Sequence, residues 1–432
     1  MQRNRFLGDL LSQLFVPRSL MRAKDDTRDI YALCHALMSA EGEVSGLRLA
    51  ATILARYAAL KPQDKTAFFL FLNSEFDIDA SEVARLATDY AASPRAELFG
   101  QLSVAAEPKR QELLRRLNQP VGATAVLVAM RVDLLKLLKD HPDLARTNLD
   151  FVHLLRSWFN RGFLVLRQIN WDTPARILDK IVAYEAVHQI SDLDDLRRRL
   201  YPPDRRCFAF FHPAMPDEPL IFVEVALTKD IPASIDAVLS DNRTALDADQ
   251  AKVAVFYSIS NCQKGLTGIS FGNLLIKQVA AELALEWPQI DAFVTLSPIP
   301  GLNRWLETQT GDPAFGAIAT GVLAGTAKPQ DIRAMAARYL LDAKRSDGLP
   351  LDPVTRFHIG NGAEVHAIHA GADASTNGLA QSSGAMVSYL YDLTQTERNH
   401  EAFAAAATVT ASRAVHALAT AARATKSREP VS

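Results

Sequence analysis

The chain of 432 residues is 48% hydrophobic and 22% charged, a composition that is typical of globular proteins and excludes wholesale disorder. Its length allows two or three domains with large hydrophobic cores. The formal net charge of −2 gives the protein no overall positive field, which argues against a protein that coats nucleic acid. A local basic cleft for an anionic ligand is still compatible with this charge.

The cysteine content and the hydropathy pattern indicate a soluble protein of a reducing compartment. Cys34, Cys207 and Cys262 are far apart in the sequence and form no CxxC pair, so neither a disulfide framework nor a zinc ribbon is expected. The basic start, MQRNRFLGDLLSQLFVPRSLMR, lacks the continuous apolar segment of a signal peptide and predicts a surface helix. The longest apolar run, residues 121–130, is about half of a membrane span. We therefore expect a cytoplasmic protein that does not enter a membrane.

Residues 1–160 are predicted to be helical throughout. Apolar residues recur there at intervals of three and four, which places them on one face of a helix. Proline and asparagine separate the segments. The clearest segments are LRLAATILARYAALKP, SEVARLATDYAA, RQELLRRLNQ and MRVDLLKLLKDHPDLA. Such helices are expected to pack as a bundle, and they form the first predicted domain.

The pattern changes near residue 161, where the second predicted domain, 161–432, begins. RGFLVLRQIN is rich in strand formers, and the following Asp-Thr-Pro is a start signal for the helix predicted over 175–190. The aromatic and β-branched runs CFAFF and LIFVEVALT flank a turn-forming segment, which predicts a β-hairpin. The domain is thus predicted to be of mixed α/β type, and the whole chain to be of the α+β class.

Further along the chain, a strand, a glycine-spaced loop, a helix and a second strand follow in that order. The corresponding segments are KVAVFYSIS, NCQKGLTGISF, GNLLIKQVAAELALEW and DAFVTL. Residues 303–345 return to a helical pattern. Asn-Gly in VTRFHIGNGAEVHAIHA predicts a β-hairpin, and EAFAAAATVTASRAVHALATAA predicts one closing helix.

The glycine-spaced loop is a candidate site for an anion. Gly265, Gly268 and Gly272 can adopt a positive φ or bring the backbone close to a ligand, and the next helix presents free N–H groups suited to a pyrophosphate. Lys264 and Lys277 could add positive charge. The alternative is a glycine-rich turn without a ligand, because neither GxGxxG nor the P-loop pattern is present. Cys262, beside this loop, is expected to be structural.

Ser297, in FVTLSPIPGL, follows the strand DAFVTL and precedes two prolines. It could be an ordinary turn residue. It could also be a hydroxyl that the prolines hold in one place for chemistry, and the residues alone do not choose between the two.

Long ordered blocks of the sequence resemble the malonyl-CoA decarboxylase family. They cover nearly all of 160–392, while the N-terminal helices match more loosely. The blocks are WDTPARILDKIVAYEAVH, RRCFAFFHPAMPDEPLIFVEVALT, YSISNCQKGLTGISFGNLLIK, VTLSPIPGL, DPVTRFHIGNGAEV and AMVSYLYDL. Asp352 is one departure, since the family more often has Asn before that proline.

The resemblance implies a catalytic domain similar to the acetyltransferase superfamily, which binds coenzyme A between a strand and a helix. The usual acetyltransferase signature, Arg or Gln followed after two residues by Gly-x-Gly, is not matched, because Gln263 and Gly265 are out of register. The coenzyme A contacts that the resemblance implies are Thr267, Gly268, Ile269, Ser270, Phe271, Gly272 and Asn273.

The implied reaction is decarboxylation of malonyl-CoA to acetyl-CoA and CO₂ through a thioester enolate, with Ser297 and His358 as the catalytic pair and as substrate contacts. His358 is expected to protonate C2, since the ordinary pKa of histidine lies close to working pH. Ser297 is expected to position the carboxylate or relay a proton, and not to be acylated, because the thioester survives. No metal, biotin or other cofactor is implied.

Other side chains near these motifs could have a structural or a functional role. His212 can be structural or can line a pocket. His366 and His369 belong to the predicted hairpin, and their spacing puts them on opposite faces of a strand, which disfavours a metal cluster. Tyr389 and Tyr391 lie in a block that matches the family, where Tyr391 could support the site.

Two other functions are open at this stage. The same fold could be an acyltransferase that acts on an amine, although no acceptor groove or general base is marked. It could also be a non-catalytic acyl-CoA sensor, against which the presence of both Ser297 and His358 argues. The resemblance further implies a role in fatty acid metabolism and a homotetramer built partly through the helical domain, with neither nucleic acid nor membrane as a partner.

Overall fold

A computed structural model describes residues 26–40, 42–269 and 272–424, without the side chains of 272–274 and 422–424. The predicted surface helix at the start of the chain lies outside the described residues. The chain forms two compact units. One consists of the described residues up to Asn160 together with Gln263–Ile269, and the other of Arg161–Cys262 with the described residues after Ile269. Within the described part, none of the helices is both long and apolar enough to cross a membrane.

The first unit is helical, as the apolar periodicity predicts. Asp29 and Asp79 begin two of its helices by accepting backbone N–H groups, and Pro62 stands in the first turn of a third, where its missing N–H costs nothing. The helices are α1 Ile30–Ser39, α2 Glu43–Ala59, α3 Pro62–Glu75, α4 Ala80–Ala92, α5 Ala96–Ala105, α6 Lys109–Leu117, α7 Ala123–Leu137 and α8 Ala145–Trp158.

The core of this unit is aromatic and contains one buried ionic cluster. Phe68, Phe69 and Phe151 are at most 2% exposed and meet edge-on. Arg110, also 2% exposed, binds the carboxylates of Asp150 and Asp77, so its buried charge is neutralised. Removing Arg110 would take this ionic partner from the buried Asp150 carboxylate.

The second unit contains a mixed sheet with the spatial order β1-β2-β3-β4-β5-β8-β6, and β7 pairs with β8. The predicted hairpin is present, since β2 and β3 pair antiparallel, and β4 and β5 form the parallel pair that a connecting helix allows. The strands are β1 Val165–Ile169, β2 Arg205–Phe211, β3 Ile221–Thr228, β4 Val253–Asn261, β5 Ala292–Thr295, β6 Ser297–Pro298, β7 Glu364–His369 and β8 Met386–Leu390.

Helices cover this sheet and connect its strands. Helix α12 follows β4 and precedes β5, which is the strand–loop–helix–strand order expected from the sequence. The helices are α9 Ala175–Tyr184, α10 Leu193–Leu200, α11 Asp236–Leu239, α12 Gly272–Glu286, α13 Leu302–Gln309, α14 Gly316–Leu323, α15 Pro329–Asp342, α16 Pro353–Gly360, α17 Thr376–Ser382, α18 Thr396–Ala406 and α19 Arg413–Ala424.

The hairpin predicted around Asn361-Gly362 is wrong in its first half. Residues Pro353–Gly360 form helix α16, because Asp352 caps its N-terminus and Pro353 stands in its first turn. Asn361 and Gly362 end the helix instead of closing a hairpin. Gly362 has φ +85, and a side chain there would also collide with the Thr396 carbonyl.

Two predicted helices are interrupted. The helix predicted over 175–190 ends at Tyr184, where the Glu185 carboxylate accepts the N–H groups of Val187 and His188. The closing helix is two helices, α18 and α19. The intervening segment leaves the helical conformation at Ala407 and runs beside β7, where the Val365 N–H donates to the Thr410 carbonyl at 2.9 Å. Pairing with a strand therefore overrides helix propensity here.

Candidate active site

Ser297 lies at the edge of the sheet, two residues after the end of β5. It forms the two-residue strand β6 with Pro298, and Ser297 pairs with Val387 of β8. The residue is 6% exposed. Sheet pairing on one side and proline on the other restrict its backbone, so the hydroxyl is held in a defined position.

His358 lies in the last turn of α16, and the fold brings it to Ser297 although 61 positions separate them. The Ser297 Oγ and the His358 Nε2 are 3.3 Å apart, and the other ring nitrogen, Nδ1, is 2.8 Å from the Tyr391 hydroxyl. His358 is 2% exposed. Both ring nitrogens thus have hydrogen-bond partners inside the protein, which fixes the orientation of the imidazole.

The expectation that His358 titrates near working pH is wrong. Burial lowers the pKa of His358 to about 3, because the charged ring would lose its hydration. The imidazole is therefore neutral at neutral pH. It can pass a proton only by releasing one from one nitrogen and accepting another at the second nitrogen.

A neutral imidazole with its proton on Nε2 satisfies the hydrogen bonds around the pair. The Ser297 hydroxyl donates to the Thr295 Oγ1 at 2.9 Å. Its oxygen then accepts from His358, so Nε2 carries the proton and Nδ1 accepts from the Tyr391 hydroxyl. The Thr295 Oγ1 also accepts the Tyr389 N–H at 3.2 Å. The chain of donors thus runs from Tyr391 through His358 and Ser297 to Thr295.

Tyr389 supports the histidine from one face. Its ring stacks on the His358 imidazole with centroids 4.5 Å apart and an interplanar angle of 24°. Its hydroxyl lies 2.8 Å from the Thr355 Oγ1, and Thr355 in turn bonds Asp352 at the start of α16. Thr295 and Thr355 were not among the predicted site residues. Thr295 stands two residues before Ser297, which was the only signal for it in the sequence.

A cleft of about 350 Å³ opens onto the Ser297–His358 pair. Most of its walls are apolar, so a bound group would be shielded from water and its charges would interact strongly with the few polar side chains present. The apolar lining includes Val187, Phe256, Ile259, Pro298, Val354 and Phe357.

The free energy of unfolding should depend on pH below about 7, because His358 is buried and neutral in the folded protein. Between its ordinary pKa of 6.5 and the lowered value of about 3, the unfolded chain binds a proton that the folded chain excludes, so stability falls as pH falls. The variant His358→Asn lacks this loss. Urea unfolding should therefore show that, as the pH falls from about 7 to about 5, the free energy of unfolding of the variant rises relative to that of the wild type. The difference should grow by up to about 1.4 kcal/mol per pH unit. A stability difference that does not change with pH would contradict the assignment.

The described part of the glycine-spaced loop belongs to the helical unit. Gly268 has φ +79, a conformation that favours glycine, and no atom of the described residues lies within 4 Å of a Cβ built there. Position 265 requires a glycine for a different reason, since a side chain there would collide with the Val128 carbonyl of α7. The Arg131 guanidinium also donates to the Gly265 carbonyl at 2.6 Å. Close packing against α7 therefore explains Gly265 without a ligand.

The residues predicted to contact coenzyme A are only partly among the described residues. Thr267 and Gly268 are exposed, and Ile269 is buried at 7% exposure. Ser270 and Phe271 lie outside the described residues. Gly272 and Asn273 begin α12, but nothing is described of the Asn273 side chain.

Three other histidines, His212, His366 and His369, lie in a turn and a strand. The His212 Nδ1 accepts the Ala214 N–H at 3.1 Å within the β2–β3 connection. His366 and His369 lie on β7, and the His369 Nε2 is 3.0 Å from the Ser388 Oγ. In the described residues, no three histidine, cysteine or acidic side chains gather as they would around a metal ion.

The three thiols are buried, and burial raises the pKa of each. The pKa of Cys34 reaches about 12. A protonated, inaccessible thiol is a poor nucleophile. This agrees with a structural place for Cys262.

Solved structures of the same architecture include two from bacteria. The structure is similar to malonyl-CoA decarboxylase from Rhodopseudomonas palustris, with TM-score 0.84 and 48% identity over 90% of this chain and 98% of that one. It is equally similar to malonyl-CoA decarboxylase from Agrobacterium vitis, with TM-score 0.86 and 45% identity over 90% and 99% of the two chains. The predicted fold class, a helical bundle followed by a mixed α/β domain, is confirmed.

Family models match both parts of the sequence. Residues 76–159 match the malonyl-CoA decarboxylase N-terminal domain, and residues 162–429 match the C-terminal domain. The mitochondrial malonyl-CoA decarboxylase of Anser anser anser is 35% identical over 336 residues, which are 68% of this chain and 66% of the goose protein. The chain thus spans slightly less than two thirds of that relative. It belongs to the malonyl-CoA decarboxylase family, which confirms the resemblance.

Proposed function

We propose that the protein converts malonyl-CoA into acetyl-CoA and CO₂. The observation that carries this proposal is the buried Ser297–His358 pair, 3.3 Å apart at a largely apolar cleft, in a chain of this family. Such a cleft suits a reaction that forms an enolate, because bulk water would protonate and solvate the intermediate without control.

The bond changes of the reaction are simple. The bond between C2 and the carboxylate carbon breaks, its electron pair moves into the thioester carbonyl, and an enolate and CO₂ result. C2 then takes up one proton, and the thioester is retained. The site must hold the breaking bond perpendicular to the carbonyl plane, stabilise the enolate oxygen and supply the proton.

The proton route follows the hydrogen bonds of the pair. Rotation of the Ser297 hydroxyl turns its proton from Thr295 toward the cleft, where C2 takes it. The His358 Nε2 proton replaces it on Ser297, and Nδ1 accepts the proton of Tyr391. The imidazole thus changes tautomer without becoming charged. A thioester enolate is a stronger base than a phenolate, even with the pKa of Tyr391 raised by burial, so the net transfer of the proton to C2 is favourable. The turnover is complete when a proton from solvent has been returned to Tyr391.

Coenzyme A is assigned to the glycine-spaced loop and the start of α12 on the basis of the family resemblance. The residues are those expected from the sequence, Thr267, Gly268, Ile269, Ser270, Phe271, Gly272 and Asn273. The positive φ of Gly268 supports an anionic ligand there, as does the start of helix α12, because the first turn of a helix has N–H groups without partners inside the helix. The reaction as written requires no metal or other cofactor.

The test is to incubate the purified protein with malonyl-CoA and follow CO₂, acetyl-CoA and free coenzyme A together. Decarboxylation predicts equal amounts of CO₂ and acetyl-CoA without any added acceptor. An acyltransferase would require an amine and would release free coenzyme A. An acyl-CoA sensor would bind without turnover, and either of these results would overturn the proposal.

A homotetramer, a cytoplasmic location and a role in fatty acid metabolism complete the proposal. Helix α5 supports self-association, because none of its residues is buried in the described part of the chain and Phe99 and Val104 are 57% and 76% exposed. The buried thiols fit a reducing compartment. Light scattering of the purified protein measures the mass, and a monomeric mass would contradict the tetramer.

A further inference from the structure

Tyr339, on helix α15, lies against both chain segments that carry the catalytic pair. The residue is 2% exposed, and its ring packs on Trp305 with centroids 5.4 Å apart. Its hydroxyl meets Gly301, four residues after Ser297. The same hydroxyl faces the carboxyl group of Asp352, which together with burial raises the pKa of Tyr339. Asp352 begins the helix that carries His358.

Gly301 is a glycine because of this hydroxyl. Its backbone, with φ −106 and ψ −2, is one that any residue can adopt. A Cβ at this position would nevertheless overlap the Tyr339 Oη, and the ring carbon Cζ would be 3.1 Å away. Apart from the chain neighbours of Gly301, the three atoms nearest to such a Cβ all belong to Tyr339. The turn after Ser297 therefore rests directly on Tyr339.

Asp352 is connected to His358 through hydrogen bonds of Thr355 and the stacked ring of Tyr389. The Asp352 Oδ1 accepts the Thr355 N–H at 2.7 Å and the Thr355 hydroxyl at 3.1 Å. Thr355 also bonds the Tyr389 hydroxyl, and the Tyr389 ring stacks on His358. The Asp352 Oδ2 is buried and has no hydrogen-bond partner among the described residues, so the nearby Tyr339 hydroxyl is the donor suited to it.

We propose that Tyr339 is a positioning residue that sets the separation between the Ser297 turn and the His358 helix. It touches neither member of the pair, and it acts through Gly301 on one side and Asp352 on the other. The inference rests on the proposed decarboxylation, because its kinetic consequence is a change in turnover of malonyl-CoA. A displacement of about 1 Å between reacting groups can cost about 10²-fold in rate, so even a small shift of the turn matters.

The variants Gly301→Ala and Tyr339→Phe test this inference as a pair. Gly301→Ala should push the turn away from Tyr339 and lower kcat about 10²-fold with little change in KM, because the binding segments are not displaced. Tyr339→Phe alone should lower kcat several-fold. In the double variant the overlapping oxygen is gone, so kcat should return to within about fivefold of the Tyr339→Phe value.

Two matched controls separate positioning from general damage. Gly311→Ala adds a methyl group at a glycine where no atom of the described part of the chain lies within 4 Å of the new Cβ. Tyr57→Phe removes a tyrosine hydroxyl that donates to Asp133 at 3.2 Å in the helical unit. Both variants should keep wild-type kcat and KM. Thermal unfolding of all five variants identifies any that fail to fold.

Three outcomes would overturn the inference: wild-type kcat in Gly301→Ala, a double variant no more active than Gly301→Ala, or equal losses in the control variants. Failure of the proposed function looks different, since the wild type itself would then release no CO₂ from malonyl-CoA. A crystal structure of Gly301→Ala gives a readout that is independent of activity. The Ser297 Oγ to His358 Nε2 distance should differ from the wild-type 3.3 Å, and an unchanged distance would also overturn the inference.

Discussion

Replacing His358 by asparagine is expected to lower kcat for malonyl-CoA decarboxylation by about 10²–10⁴-fold while affinity for coenzyme A stays nearly unchanged. The side chain of His358 joins Ser297 to Tyr391, and asparagine cannot accept a proton at one atom while releasing one from another. The proton route to C2 would therefore be broken. Steady-state kinetics with malonyl-CoA, together with calorimetric titration with coenzyme A, measure the two quantities.

The protein provides a matched control for this substitution. His369 also faces a serine hydroxyl, since its Nε2 is 3.0 Å from the Ser388 Oγ, but neither residue lines the cleft. His369→Asn should leave kcat within about twofold of the wild type. If His358→Asn lowered coenzyme A affinity as much as kcat, His358 would be a structural residue and the proposed proton route would be wrong.

Replacing Ser297 by alanine is expected to lower kcat by about 10²–10³-fold, the range found when a positioned hydrogen-bond donor is removed from an active site. The variant loses the hydroxyl that connects His358 to the substrate, whereas the strand pairing of residue 297 with Val387 is retained. KM should change little, and steady-state kinetics with malonyl-CoA provide both values.

The control for this variant is Ser388→Ala, which removes a buried serine hydroxyl from the other histidine–serine pair. It should retain kcat. Because Ser297 and His358 act in one proton route, the double variant of these two residues should lose no more than the more damaging single variant. Fully additive losses would show that the two side chains act in separate steps.

The sequence predicts strands more reliably than it predicts the surroundings of His358. β2 and β3 follow from runs of aromatic and β-branched residues, and the pairing is local. VTRFHI also contains β-branched and aromatic residues but forms a helix. The capping residue Asp352 and Pro353 in the first turn outweigh its β propensity. The sequence thus predicted the wrong element for His358, which lies on a helix. Its helix end, and not a hairpin, aims the ring at Ser297.

The charge state of His358 could not be predicted from its neighbours in sequence. It depends on burial, and the side chains that enclose the ring, Tyr389 and Tyr391, come from a strand end about thirty residues further along the chain. Glycines present the same difficulty. Gly265 and Gly301 resemble loop glycines, yet each is required by one atom of a distant helix, the Val128 carbonyl or the Tyr339 hydroxyl.

The proposed mechanism requires a single protonation of C2 inside the cleft that holds Ser297 and His358. The most direct measurement is the mass of the acetyl-CoA that the wild type makes from malonyl-CoA in ²H₂O, compared with the CO₂ released. One deuterium per CO₂, on an intact thioester, is the predicted result. Release of free coenzyme A in place of acetyl-CoA, or an acetyl group bearing several deuterium atoms, would contradict it.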